Sequence, residues 1–135
     1  ITLQDSLART AATITTSTVT LPSTSALVIG VVKNDAGSLT GISGTGIQTI
    51  GSFDSATYKS GKFVVTISDG SNIHSQEVLM VCDGTNTAIT GYAVVTLGTG
   101  VLGTFSSAMS GATAQLKFTP TGATSMTIKV SGQYA

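Results

Sequence analysis

His74 and Cys82 are the side chains of this sequence best suited to catalysis, and each is the only residue of its type in the chain. Both lie in NIHSQEVLMVC at 72–82, a segment typical of a strand. In an extended strand the two side chains point to one face but stand about 26 Å apart, which excludes a dyad. Ser75 and Glu77 share the opposite face, so a Ser–His–carboxylate triad is not indicated. We expect a half-exposed histidine and a small buried thiol, neither of them catalytic.

Two acidic tetrapeptides, DGSN at 69–72 and DGTN at 83–86, have the ligand types of a metal site. The intervening residues would span roughly 33 Å as a strand, so the tetrapeptides would lie at opposite ends of a sheet and could not share one ion. Neither has the alternating ligands and closing glutamate of a calcium loop. Asp-Gly between apolar segments instead indicates a hairpin turn, because glycine accepts positive φ and aspartate caps the turn. The sequence predicts two turns and no metal site.

The segment GTGVLG at 98–103 fits the G-x-G-x-x-G fingerprint of dinucleotide-binding proteins. That fingerprint also needs a following helix and an acidic residue about 20 positions later. TFSSAMSGAT is a poor helix former, and the sequence has no Asp or Glu after Asp83. We expect a glycine-rich connection between strands and no cofactor.

The carboxylates give no pattern for glycoside hydrolysis, which needs two of them facing each other across about 5–10 Å. Five of the six fall in predicted turns or termini, and no pair is implied among Asp5, Asp35, Asp54, Asp69, Glu77 and Asp83. We therefore expect that the protein is not an enzyme. Sugar binding by an aromatic platform is also disfavoured, since Trp is absent and the three tyrosines are scattered.

Composition points to a neutral assembly subunit. The 135 residues suit one domain, and charged residues make up 9% of them, against about 25% in ordinary soluble domains. Net charge is zero and the pI is near 6.7, so neither nucleic acid nor an anionic membrane is an expected partner. The longest apolar run, ALVIGVV at 26–32, is too short for the ~18–20 residues of a membrane span. A weakly charged surface separates monomers poorly, which favours a homo-oligomer, for which we expect a trimer.

The segments that would position the candidate residues predict an all-β protein. Runs of β-branched residues recur between Gly and Asp, as in an antiparallel β-sandwich of jelly-roll-like type. Strands are predicted at 26–33, 46–53, 61–68, 72–82, 86–97, 113–119 and 125–130. The third and fourth of these strands, 61–68 and 72–82, should form a hairpin closed by Asp69–Asn72. Its buried side chains are expected to be Phe63, Val65, Ile67, Leu79 and Val81, and Ile73 shares the face of Leu79 and Val81.

Two further segments complete the organisation. The run at 26–32 predicts a buried strand, whereas the glycines between 37 and 51 predict a long loop or a bulged edge.

Residues 1–25 predict an extended N-terminal arm or edge strand, with a partly ordered linker as the alternative. Residues 26–135 predict a single β-sandwich domain, with a boundary near residue 55 as the alternative.

The arm carries the candidate assembly contacts. Ile14, Val19 and Leu21 alternate with hydroxyl residues, and β-augmentation by such an arm binds through main-chain hydrogen bonds without needing charge. The sequence begins at Ile1 rather than Met, so we expect a processed or incomplete chain.

Five short segments resemble, in order and spacing, a β-sandwich domain of virion structural proteins of tailed phages, notably phages of cyanobacteria and other aquatic bacteria. The resemblance covers about residues 50–132. Its segments are Tyr58 to Phe63, Glu77 to Thr85, Tyr92 to Val95, Leu102 to Phe105 and Leu116 to Pro120. Members of that family lie on capsid surfaces, tail fibres and tail or neck appendages.

The resemblance implies a virion structural protein, assembled in the host cytoplasm and exposed on the capsid exterior or a tail appendage. Combined with the small, neutral, arm-bearing chain, it makes capsid decoration, bound to the major capsid protein, our first hypothesis. The second is a tail-fibre or appendage domain that contacts other virion proteins and host surface glycans. The third is an adhesin-like or carbohydrate-binding module.

Overall fold

The computed structural model describes residues 2–4, 10–14, 19–20 and 27–135, with side chains from Val28 onward. All regular structure in these residues is β-strand. In chain order the strands are β1 Thr2–Gln4, β2 Thr10–Ile14, β3 Val19–Thr20, β4 Leu27–Ile29, β5 Val32–Ile42, β6 Gln48–Asp54, β7 Ser60–Ser68, β8 Ile73–Cys82, β9 Thr87–Leu97, β10 Gly103–Ser110, β11 Thr113–Pro120 and β12 Met126–Tyr134. None of the described residues form a helix that could cross a membrane.

The main body is a sandwich of two antiparallel sheets, which confirms the predicted fold class. A six-stranded sheet has the order β4-β5-β12-β7-β8-β9, and a three-stranded sheet has the order β10-β11-β6. The core lies between them, where side chains of β7, β8 and β12 meet those of β6 and β11. Because the second sheet has half as many strands, it covers only part of one face of the first.

The described part of the predicted arm consists of β1, β2 and β3, which form a separate antiparallel sheet. Ile14 and Val19 lie opposite each other where β2 pairs with β3. Leu21 lies outside the described residues. The division into an arm and one sandwich domain, and the assembly role of these three residues, remain predictions.

The predicted hairpin is confirmed, but the face of β8 that we expected to be buried is partly exposed. β7 and β8 pair antiparallel, and Phe63, Val65 and Ile67 are fully buried as expected. On β8 the buried side chains are instead the even-numbered ones, including Val78 and Met80, whereas Ile73, Leu79 and Val81 are 41%, 40% and 48% exposed. The pairing explains the difference: a four-residue turn joins Ser68 to Ile73, so odd positions of β7 face even positions of β8.

The run ALVIGVV at 26–32 is not the buried strand that we expected. Gly30 has a φ of 63° and forms a tight turn with Val31, so that Ile29 pairs with Val32 in a hairpin at the edge of the large sheet. Val31 is 82% exposed at its tip. The three-stranded sheet does not reach this edge, which leaves the hairpin uncovered.

The glycine-rich segment that follows is mostly strand rather than a long loop. β5 runs to Ile42 and pairs with β12, with a register shift between Met126 and Ile128. Gly41, at a φ of 66°, lies on β5 opposite that shift, so the expected bulge is present. The connection to β6 is confined to residues 43–47. Strand β10, which overlaps TFSSAMSGAT at 104–113, was not predicted.

Candidate functional site

His74 is fully buried, so the half-exposed position expected from the sequence is wrong. Its Nδ1 accepts a hydrogen bond from the backbone N–H of Leu102 at 3.3 Å, and its Nε2 lies 3.2 Å from Gln76 Oε1. Phe105 packs against the ring edge-on at a centroid distance of 6.0 Å. Burial lowers the pKa of His74, although the bond to Gln76 partly opposes this. The ring is therefore neutral at neutral pH and joins the β9–β10 loop to the large sheet.

Cys82 is a buried thiol, as predicted, at 8% exposure. Its Sγ lies 3.7 Å from the carbonyl oxygen of Tyr58. It shares the inner face of β8 with His74, eight positions away at the other end of the strand. The structure does not bring the two side chains together.

The two acidic tetrapeptides are hairpin turns at opposite ends of β8, as predicted. Asp83 Oδ1 accepts the backbone N–H groups of Thr85 and Asn86 at 2.7 and 2.6 Å, and Asp69 Oδ1 accepts that of Asn72 at 2.8 Å. Hydrogen bonds from the backbone and side chain of Asn86 lower the pKa of Asp83 to about 2. Both carboxylates are thus engaged by their own turns.

The other described carboxylates are also engaged locally. Asp35 pairs with Lys33 at 3.0 Å, Glu77 pairs with Lys62 at 2.9 Å, and Asp54 accepts the Thr57 hydroxyl at 2.7 Å. Within residues 27–135 the side chains His, Cys, Asp and Glu form no group of three that could hold a metal ion.

GTGVLG at 98–103 is a connection between strands, as predicted, and leads into β10 rather than a helix. The turn before β8 holds this loop, because Asn72 Oδ1 accepts the backbone N–H of Thr99 at 2.9 Å. A Cβ at Gly98 would lie 2.0 Å from the same oxygen, and the φ of Gly98 is 93°. The contact with Asn72 and the positive φ therefore both require glycine at this position.

The most distinctive surface is the outer face of the large sheet, on the side away from the core. Seven apolar or aromatic side chains on β7, β8 and β9 are 40–66% exposed on this face. We call them the outer patch: Val64, Ile73, Leu79, Val81, Tyr92, Val95 and Leu97. The strand registers make them neighbours, since Ile73 lies opposite Leu97 and Val81 lies opposite Ala88.

Charge on the patch is confined to one ion pair. Lys62 and Glu77 stand on adjacent strands at its centre, 2.9 Å apart, and Tyr92 lies beside them. The pKa of Glu77 is lowered by its hydrogen bond to Lys62, whose own pKa is raised by the same contact. The patch is thus electrically neutral.

A shallow groove lies beside the outer patch on the same face. Its volume is about 590 Å³, and its lining includes Ala36, Ser38, Thr66, Lys129 and Ser131 on β5, β7 and β12. Most of these side chains are small, so this half of the face stands lower than the half with the patch. Val64 borders both.

Sequence reasoning missed this surface because it assigned Ile73, Leu79 and Val81 to the core. One signal could have indicated it: no charged residue occurs between Asp83 and Lys117, a stretch that contains all of β9 and β10. A long exposed strand without charge is unusual in a monomer, because charged side chains normally protect such strands from other chains.

Comparison of the sequence with protein-family models and with curated proteins gives no match. Solved structures do match in fold. The tailspike protein of Acinetobacter baumannii phage AM24 has a TM-score of 0.52 and 12% identity, over 77% of this chain and 26% of the tailspike. The tailspike protein of Acinetobacter phage vB_ApiP_P1 has a TM-score of 0.51 and 13% identity, over 76% of this chain and 21% of the tailspike.

This chain has the β fold of a part of two phage tailspikes. It spans about a quarter of their length. At 12–13% identity the likeness concerns the fold, so the activities and partners of the tailspikes do not transfer with it. The resemblance to phage virion proteins is supported as to fold.

Proposed function

We propose that this chain is a structural β-sandwich domain of a phage tail appendage, present as a homo-oligomer that we expect to be a trimer. The observation that carries the proposal is the fold shared with two phage tailspikes over about three quarters of the chain. This observation favours the appendage hypothesis over capsid decoration. Contact with host surface glycans remains a prediction.

The domain has a structural role in this proposal and is not an enzyme. In support, each described carboxylate is held by a turn or an ion pair, and the single imidazole is buried and hydrogen-bonded. A hydrolytic site would need two carboxylates free to face a glycosidic bond. Incubation of the purified protein with host capsular polysaccharide should release no reducing ends, and reproducible release would contradict this part of the proposal.

Location and copy number on purified phage particles test the proposal directly. Gold-labelled antibodies against the domain should mark the tail. Mass spectrometry calibrated on the major shell protein should give tens of copies per particle, because tail symmetry sets the number. Labelling of the shell with a copy number that follows the capsid lattice would establish decoration instead. Absence from purified particles would refute any virion role.

A further inference from the structure

The outer patch has the size of one side of a protein interface. Burying a large apolar side chain contributes about 1.5–3 kcal/mol at about 25 cal/mol per Å², which corresponds to about 60–120 Å² of apolar surface. Seven side chains that are 40–66% exposed therefore offer about 200–400 Å² of apolar surface. A standard interface buries roughly 800 Å² per partner, a little over half of it apolar, so about 450 Å². The patch supplies about half to nine tenths of that amount.

The neutrality of the patch narrows the choice of partner. A charged partner gains nothing from it, because its one ion pair is already satisfied internally at 2.9 Å. The whole chain has zero net charge, so copies of it do not repel one another. A second copy therefore meets no electrostatic barrier at the patch. Among the described residues, the one charged side chain of the groove is Lys129, whose aliphatic stem can pack against the ridge while its ammonium group stays in water.

The shape of the face also suits a second copy. The patch on β8 and β9 is a raised ridge of Val, Leu and Ile side chains, and the groove beside it is lined largely by small ones. Because the ridge and the groove are different parts of the surface, the ridge of each copy can enter the groove of the next, and three such head-to-tail contacts close a trimer. No described strand pairs with the free edge of β9, so the ridge is accessible from the side as well.

We propose that the outer patch of one copy packs into the groove of a second copy of this chain. The contact places Val95 and Leu97 against the floor around Ser131 and Thr66. This contact is the surface through which the homo-oligomer assembles. The inference rests on the proposed function, because an appendage brings several copies of the chain together.

Sedimentation velocity over a dilution series tests the contact. The wild-type protein should sediment as an oligomer at micromolar concentration and dissociate on dilution. Val95→Lys and Leu97→Lys should each weaken self-association at least about 100-fold, because each buries an unpaired charge in an apolar contact. Val31→Lys is the matched control: Val31 is 82% exposed on the β4–β5 hairpin, outside the patch, and its variant should associate like the wild type.

The groove is tested separately by Ser131→Trp, which fills it and should weaken association by a similar factor. Circular dichroism shows which variants keep the β fold, and Lys substitutions at these exposed positions should keep it. A wild-type monomer at all concentrations, or Val95→Lys and Ser131→Trp variants that associate normally, would overturn the contact. A wild-type monomer would also contradict the homo-oligomer of the proposed function, whereas variants that associate normally would contradict this contact alone. The tail location is measured on particles and is independent of both results.

Discussion

Replacement of His74 by leucine should destabilise the fold at neutral pH and remove its sensitivity to mild acid. Leucine is similar in size, so the main loss is the acceptor at Nδ1. The backbone N–H of Leu102, a residue with 5% exposure, is then left without its 3.3 Å partner. An unpaired buried donor costs about 1–3 kcal/mol, and we expect the free energy of unfolding at pH 7 to fall by that amount.

The dependence on pH follows from the lowered pKa of His74. Its usual value is 6.5, and burial lowers it in the folded state, so between the two pKa values the unfolded chain binds more protons. The stabilisation that depends on the neutral His74 ring is therefore fully present above pH 6.5, and it is lost as the pH falls through the pKa of His74 in the folded protein. The slope in this window is at most about 1.4 kcal/mol per pH unit. Protonation also occupies Nδ1, which releases the N–H of Leu102 and the β9–β10 loop.

Urea unfolding at fixed protein concentration, at half-unit steps from pH 5 to 7, measures both effects. His74 is the only histidine, so the variant isolates its titration. The carboxyls with lowered pKa titrate below their usual values of 3.8 and 4.5, outside this window. The wild-type protein should lose stability toward pH 5, and His74→Leu should not. An equal slope in both proteins would refute the assignment of the acid sensitivity to this ring.

Three further predictions concern the core, a strained residue and a turn. Phe63→Ala should cost about 3–5 kcal/mol in urea unfolding, because Phe63 is fully buried. Val31→Ala, at a residue that is 82% exposed and outside the outer patch, should change stability by about 0.5 kcal/mol or less. Ala93 has a φ of 51° at the bulge in β9, a left-handed conformation that costs a non-glycine residue about 1–2 kcal/mol. Ala93→Gly should therefore raise the melting temperature, although the greater flexibility of glycine in the unfolded chain partly offsets the gain. A lower melting temperature would contradict the left-handed geometry. Asp83→Ala should lower the melting temperature at pH 7 and should make the melting temperature decrease less in acid. The carboxylate has a pKa of about 2 in the folded protein, so its stabilisation is present above pH 3.8 and is lost as the pH drops through about 2. An unchanged dependence of the melting temperature on acid pH would show that the turn does not depend on this carboxylate.

Local signals in the sequence were sufficient for the fold class and for the turns. Asp-Gly at 69–70 and 83–84 specifies a reversal through glycine at positive φ and an aspartate that caps its own turn, and both reversals form. The buried face of β7 could also be predicted, because Phe63, Val65 and Ile67 alternate with residues that include Lys62 and Thr66. These outcomes depend on side chains within a few residues of one another, which is why the sequence determined them by itself.

The tertiary structure alone decided which face of β8 is buried and where the outer patch lies. β8 carries apolar residues on both faces, with Val78 and Met80 on one and Leu79 and Val81 on the other, so alternation could not choose between them. The choice follows from the register across the four-residue turn and from a three-stranded sheet that covers one face only. His74 is buried for the same reason. Pairing register and sheet coverage depend on strands far apart in the chain, so no local pattern in the sequence reports them.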